Sequence, residues 1–177
     1  MDILSHGLYA GIAVGRKSRR DYLIAFFFGI MPDLLAFGPL FVSGLLGFSA
    51  WPQRMEPPAL SGIPSYVFST YHVTHSLVVY AVFFAILWWL GKRHFAYLTL
   101  GWPLHILVDI PTHVATFFPT PFLWPLSSFS VSGMQWGQPL IFIPNVIFII
   151  LLYLFWYLWY RKHLHSVVPG TEQTPTA

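Results

Sequence analysis

The stretch PLIFIPNVIFIILLYLFWYLWY, residues 139–160, decides the class of fold. It runs for about 22 residues without a charged side chain. As an α-helix it is long enough to cross a hydrocarbon core of ~30 Å. Its end is rich in Trp and Tyr, and Arg161 and Lys162 follow directly. Aromatic residues next to positive charge are typical of a membrane–water interface, so the stretch predicts a membrane-spanning helix.

The composition of the whole chain agrees with a membrane protein. Of the 177 residues, 56% are hydrophobic, 19% aromatic and only 8% charged, whereas about 25% of an average soluble domain is charged. The net charge of +3 comes mainly from three short basic clusters beside apolar runs, which is not the pattern of a nucleic-acid-binding surface. Without cysteine, disulfides and thiolate metal ligands are excluded. The predicted partner is the lipid bilayer, with no nucleic acid and an unknown oligomeric state.

Three further apolar segments are candidates for crossing the membrane. Residues 75–91 predict one span, and residues 95–110 predict another that is broken by Pro103. Residues 22–50 contain two prolines. They are therefore either one kinked span or two half-helices that meet near Asp33.

The first apolar segment, residues 3–15, is too short to cross and predicts a half-helix. The expected fold is therefore all-α, a polytopic transmembrane helical bundle of about four main segments plus an N-terminal half-helix. We expect a single membrane-embedded domain at 1–166 and a disordered C-terminal tail at 167–177.

The basic clusters also predict the orientation in the membrane. Because Lys and Arg concentrate in cytoplasmic loops, we expect all three clusters and the C-terminus in the cytoplasm. Two long loops, 51–71 and 112–138, then lie on the opposite face, and they contain one basic residue, Arg54.

Ionisable residues of the apolar segments fall at similar depths. Counted from the nearest basic cluster at ~1.5 Å per helical residue, these depths are ~15 Å for His6, ~20 Å for Asp33, ~30 Å for His72, ~26 Å for His75, ~18 Å for His105 and ~24 Å for Asp109. An ionisable side chain in hydrocarbon costs roughly 2.5–3.5 kcal/mol, so such residues face the bundle interior and usually have a function.

Two local spacings suggest how these residues cooperate. His105 and Asp109 stand four apart, and His72 and His75 stand three apart, so each pair shares a helix face if the segment is helical. Imidazoles and carboxylates are mixed N/O donors, which suit Zn²⁺ first, with Mn²⁺ or Fe²⁺ as alternatives. We therefore predict a site for one or two divalent ions toward the outer face.

Four motifs resemble those of the YdjM-like membrane-bound metal-dependent hydrolases of bacteria and archaea. They are Ser5-His6 followed by Gly11, Met31-Pro32-Asp33, Tyr71-His72-Val73-Thr74-His75-Ser76, and His105-Ile106-Leu107-Val108-Asp109. The resemblance covers most of the chain, and the family is distantly similar to the zinc-dependent phospholipase C and single-strand nuclease superfamily. It implies a location in the plasma (inner) membrane.

The resemblance also implies residue roles and an activity. Its metal ligands would be His6, Asp33, His75, His105 and Asp109, with His72 a ligand or a residue that positions one. The implied activity is hydrolysis of a phosphoester or lipid at the outer membrane interface by a metal-activated water. The predicted catalytic residues are Asp33, which would accept the proton of that water, and His72. Asp109 would bridge two ions if two are bound.

Some of the same residues are also compatible with functions other than hydrolysis. Intramembrane His and Asp also mark ion pathways, so a divalent-cation transporter is an alternative, as is a membrane scaffold with a structural metal site. Asp33 could simply cap a half-helix. His113 could extend the ligand face, but Pro111 is expected to interrupt the helix. Solvation at the interface explains the histidines beside basic clusters, His94, His163 and His165.

Overall fold

The computed structural model describes residues 1–48 and 60–167, with side chains up to residue 162. Its helices are α1 (Ile3–Val14), α2 (Arg19–Leu45), α3 (Ser65–Thr74), α4 (Leu77–Trp89), α5 (Arg93–Leu98), α6 (Gly101–Thr112) and α7 (Pro139–Val167). The all-α class is thereby confirmed. Arg54, residues 168–177 of the expected tail, and the side chains of His163 and His165 lie outside the described residues, and the domain boundary at 166 stays a prediction.

Two of the described helices, α2 and α7, are long and apolar enough to cross a membrane. The pair formed by α3 and α4 adds a third candidate if its two helices, which bend by 56° at their junction, form one span. The described residues therefore contain two or three candidate spans, whereas the sequence predicted four main segments. α7 matches the predicted span at 139–160. Only 6% of its most apolar 18-residue stretch is buried inside the protein.

α2 is one continuous helix, so residues 22–45 do not form two half-helices. The Ser18 hydroxyl caps its first turn by accepting from the Asp21 amide at 3.0 Å. Pro32 and Pro39 both lie inside the helix. Asp33 consequently occupies the middle of α2, and the interpretation of Asp33 as a helix cap is wrong.

The segment predicted as a span at 95–110 is two helices instead. α5 ends at Leu98 and α6 begins at Gly101, so the break precedes Pro103. Pro103 lies in the first turn of α6, where a backbone N–H has no intrahelical acceptor and proline is tolerated. The expected break at Pro103 is therefore wrong.

The segment predicted as a span at 75–91 is helical only from Leu77, because α3 and α4 meet at His75 and Ser76. The His75 amide donates to the Tyr71 carbonyl at 2.9 Å and closes α3. The Ser76 hydroxyl accepts from the Val79 amide at 3.1 Å and caps α4. This junction turns the His75 side chain into the interior, where it is fully buried.

Two apolar clusters form the core of the bundle. The first contains Phe28, Met31, Tyr80, Trp102 and Ile106. The second contains Ala36, Ile63, Val67, Tyr71 and Phe118. α2 contributes to both clusters, and Asp33 lies between those contributions along the helix, so the polar centre described below adjoins apolar packing on both sides.

Small residues allow α1, α2 and α6 to approach one another closely. A Cβ added to Gly29 would lie 2.5 Å from the His6 carbonyl oxygen and 2.6 Å from the Ala10 Cβ. A Cβ on Gly101 would lie 2.6 Å from the Ala25 carbonyl oxygen. Small residues are the usual means by which membrane helices come into backbone contact.

α1 carries its own small-residue pattern, Gly7-x-x-x-Gly11-x-x-x-Gly15. A Cβ on Gly7 would lie 2.6 Å from the Phe26 ring, and one on Gly11 would lie 2.5 Å from the Tyr22 ring. The repeat therefore marks the α1 face that packs on α2, and a G-x-x-x-G spacing in an apolar segment is a signal of such packing.

We expect Gly29→Ala to destabilise the protein by about 1–3 kcal/mol, because the added methyl group meets a backbone oxygen that cannot move independently. Gly38→Ala is the matched control in the same helix, since its Cβ would meet only the Leu34 side chain at 3.4 Å or more. Thermal unfolding of the detergent-solubilised variants, followed by tryptophan fluorescence, measures both. Equal melting temperatures for the two variants would contradict the packing described for α1 and α2.

Candidate metal centre

Three helices bring four ionisable side chains together in the middle of the bundle. α2 contributes Asp33, the end of α3 contributes His75, and α6 contributes His105 and Asp109. One ligand atom from each residue lies within 4.8 Å of those of the other three. The side chains of His75, His105 and Asp109 are fully buried, whereas that of Asp33 is 15% exposed. The four residues are thus close enough to hold one metal ion.

The spacing of the four ligand atoms suits a small cation. The Nε2 atoms of His75 and His105 are 3.0 Å apart. His105 Nε2 lies 3.1 Å from Asp109 Oδ2, and His75 Nε2 lies 3.4 Å from Asp33 Oδ1. The remaining histidine–carboxylate distances in the set are 3.5 and 3.8 Å. Ligand atoms around a tetrahedral ion with bonds of ~2.0–2.1 Å would be ~3.3–3.4 Å apart, in the middle of this range.

Backbone carbonyls orient both imidazoles. His105 Nδ1 lies 2.7 Å from the Gly29 carbonyl oxygen, and His75 Nδ1 lies 3.2 Å from that of Tyr71. Because a carbonyl oxygen can only accept, we assign the ring proton to Nδ1 in both residues. Both Nε2 atoms then present lone pairs to each other and to two carboxylates. Such a set consists entirely of electron-pair donors, and a bound cation would complete it.

α1 adds His6 to the same centre. Its ring stacks on that of His105 with a centroid distance of 3.7 Å, and its Nε2 lies 2.9 Å from Asp109 Oδ1. Despite this proximity, neither ring nitrogen of His6 makes a hydrogen bond of acceptable geometry, and Asp109 Oδ2 makes none either. Buried polar atoms without hydrogen-bond partners are rare in folded proteins, and here they fit a bound ion.

Asp109 lies between two sets of neighbours. Its Oδ2 faces the two imidazoles of the first set, whereas its Oδ1 faces His6 and, at 3.4 Å, His113 Nδ1. The Met1 amino group also contacts Oδ1. A carboxylate with potential ligands on each of its oxygens has the geometry needed to bridge two ions.

His113 reaches the centre because α6 continues through Pro111 to Thr112. His113 is the C-cap residue, and its amide donates to the Asp109 carbonyl at 3.1 Å. The expected interruption of the helix at Pro111 is therefore wrong. The four-residue spacing between Asp109 and His113 is the sequence signal that indicates their proximity.

The structure places His72 away from these residues. Its side chain is exposed, and its ring lies 6.4 Å from that of Trp124. His75 is the C-cap residue of α3 and is buried, whereas His72 is exposed, so the two side chains do not share a helix face as expected. His94 is also exposed and pairs with Asp21 at 3.0 Å, in agreement with a position at the interface.

Two residues, Gly29 and Tyr71, contribute to the centre through backbone carbonyls or ring stacking, roles that the sequence analysis did not assign to them. Gly29 supplies the carbonyl that orients His105, and the same lack of a side chain lets α1 approach. Tyr71 supplies the carbonyl for His75 and stacks its ring on that imidazole with a centroid distance of 3.8 Å. The Tyr71 hydroxyl donates to the Phe118 carbonyl at 3.0 Å, which holds the ring in place.

An all-helical fold with two or three candidate spans and a buried His/Asp cluster defines an integral membrane protein that could bind a metal ion. Residues 1–169 match the family described as YdjM inner membrane protein, and the chain belongs to this family. The resemblance of the four motifs to the YdjM family is thereby confirmed, and an inner-membrane family agrees with the apolar helices. No curated protein and no solved structure matches the sequence.

We expect His105→Ala to lower the metal content of the purified protein at least tenfold, because losing one ligand or its supporting contacts typically weakens metal affinity by that order. His72→Ala should retain the wild-type content, since its imidazole lies outside the cluster. Elemental analysis by mass spectrometry after gel filtration gives both values. Equal metal loss in the two variants would show that the centre is not where the ion binds.

Proposed function

We propose that this protein is a membrane-bound metal-dependent hydrolase that cleaves a phosphoester, in a lipid or a lipid-linked substrate, at the outer membrane interface. The observation that supports this most directly is the buried set of electron-pair donors from separate helices, with Asp33 partly exposed at its edge. A divalent cation bound there, Zn²⁺ first by the donor set, would activate a water at neutral pH and polarise a phosphoryl oxygen.

The partial exposure of Asp33 favours a catalytic metal site over a closed structural one. Structural zinc sites are saturated by four protein ligands, whereas catalytic sites have three protein ligands and an open position. Within the four-residue set Asp33 is the most exposed member, and the distance from its Oδ1 to His105 Nε2, 3.8 Å, is the longest of the histidine–carboxylate distances. We therefore assign Asp33 the role of accepting the proton of the attacking water, with His75, His105 and Asp109 as the holding residues.

A second ion on the far side of Asp109 would extend the same chemistry. His6 Nε2 faces Oδ1, and His6 has no hydrogen-bond partner that would be lost on binding, whereas the Met1 amino group at Oδ1 would be displaced. Two-ion sites stabilise the attacking and the leaving oxygen of a phosphoryl group together. The proposal is therefore one ion held mainly by α3 and α6, and a second that also uses α1.

The apolar core weighs against cation transport. A pathway through the protein would need polar groups that continue from the centre toward the basic clusters. Along α2 the ten residues between Asp21 and Pro32 contain one polar side chain, that of Tyr22. The cluster of Phe28, Met31 and Trp102 packs beside the same stretch. Hydrolysis is accordingly the better supported of the two functions.

We expect Asp33→Asn to retain its metal but to lose turnover by ~10²–10⁴-fold, the usual contribution of a general base. Asp109→Ala should lose both metal and turnover. The matched control is Asp21→Asn, whose carboxylate pairs with the exposed His94 and lies away from the centre. The measurement is release of nitrophenol from bis-p-nitrophenyl phosphate, and of phosphate-containing headgroups from phospholipid vesicles, by protein loaded with Zn²⁺ or Mn²⁺.

Chelation should abolish turnover, and addition of the same ion should restore it. Metal-loaded protein that hydrolyses neither substrate would exclude the proposed activity. Uptake of ⁶⁵Zn into sealed proteoliposomes under the same conditions would instead favour the transporter.

A further inference from the structure

Two cavities meet where α1 turns into α2, and neither is lined by the four residues of the metal centre. The apolar cavity, of 920 Å³, lies between α1, α6 and α7. The basic cavity, of 680 Å³, lies between the α1–α2 turn, residues 15–19, and α7. Arg16 and Trp156 line both cavities. The two therefore adjoin at these residues, and together they are called the groove, with a basic end and an apolar end.

The apolar cavity has the dimensions of one leaflet of a bilayer. It extends along α1 from Met1 to Arg16. The 12 residues of α1 span ~18 Å, close to half of a ~30 Å hydrocarbon core. Its walls are mostly aliphatic and aromatic, and include Ile12, Leu104, Leu107, Phe148, Leu152 and Phe155. An acyl chain fits this length and this lining.

The basic cavity presents uncompensated positive charge. Arg16, Lys17 and Arg19 are exposed, and none of the three forms an ion pair with any residue that the structure describes. The nearest acidic side chain along the chain, Asp21, pairs with His94 instead. Three cations beside an apolar groove complement a phosphate group at the membrane surface, where each Lys or Arg contributes to attraction of anionic lipid.

Aromatic residues line the groove at the end where the two cavities adjoin. The Tyr22 and Tyr153 hydroxyls are 2.6 Å apart, and the Tyr153 hydroxyl donates to the Leu8 carbonyl at 2.9 Å. Tyr22 also stacks on Trp156 with a centroid distance of 6.2 Å. Because Gly11 leaves room for the Tyr22 ring on α1, the groove is formed by packing within the protein.

We propose that this groove binds one anionic phospholipid, with its phosphate against Arg16, Lys17 and Arg19 and an acyl chain along the apolar cavity. The bound chain fills the space between α7 and the pair formed by α1 and α6. It thereby braces α7, whose side chains are otherwise largely exposed. The groove shares none of the four residues of the metal centre, and this proposal does not depend on the proposed hydrolysis.

The test is native mass spectrometry of the full-length protein with phosphatidylglycerol and phosphatidylcholine of identical acyl chains. Wild-type protein should retain phosphatidylglycerol about tenfold more than phosphatidylcholine, and R16Q/K17Q/R19Q should reduce that preference to none. K92Q/R93Q is the matched control, because it removes two cations from another basic turn, where Arg93 lies over the Trp88 ring. It should leave the preference unchanged.

A second variant tests the apolar end. Ala13 is exposed in the apolar cavity, so Ala13→Phe should expel a long acyl chain while leaving binding of dihexanoyl-phosphatidylglycerol as in the wild type. All these variants should keep the wild-type metal content, which separates failure here from failure of the metal centre. Equal retention of both lipids by wild-type protein, or an equal loss of preference in K92Q/R93Q, would overturn the proposal.

Discussion

Two imidazole nitrogens held 3.0 Å apart, with two carboxylates beside them, are the constraint on which the rest of the structure depends. Burying ionisable groups away from water is costly unless each finds a partner. Here the partners come from separate helices, so the helices must approach closely. Gly29 illustrates the connection, because its missing side chain admits α1 and its carbonyl orients His105.

The irregularities of the helices serve the same centre. The junction of α3 and α4 turns His75 inward. Directly after it, the Ser76 hydroxyl caps α4 and accepts a hydrogen bond from the Val79 amide. α6 begins at Gly101, after the short α5, and continues through Pro111 to Thr112. This continuation places His113 beside Asp109.

α7 has a different relation to the bundle. It is attached through polar contacts, since Asn145 donates to Ser5 at 2.8 Å and accepts from Tyr9 at 2.6 Å. Interhelical hydrogen bonds of this kind contribute about 1 kcal/mol or less each in membrane proteins. Ser5 adjoins His6 in α1, so the attachment of α7 supports the helix that carries one of the candidate ligands. Because little of α7 is buried by the rest of the protein, a lipid bound between α1 and α7 would strengthen their association.

The sequence by itself determined the all-α class, the membrane location, the family, and the five residues that meet at the centre, His6, Asp33, His75, His105 and Asp109. The class and the location could be predicted because hydrophobicity and charge are properties of local sequence, whereas the family and this set of five residues were implied by motifs that resemble those of the family. Only the tertiary structure decided where helices break, which put His72 outside the centre and His113 within it.

The tertiary structure also decided that Gly29 and Tyr71 orient the imidazoles through their carbonyls. Every residue except proline has the same N–H and C=O groups, so no pattern of side chains indicates which carbonyl will face a ligand. Helix breaks and the partners of buried groups depend on contacts between segments far apart in the chain, and those contacts exist only once the bundle has packed.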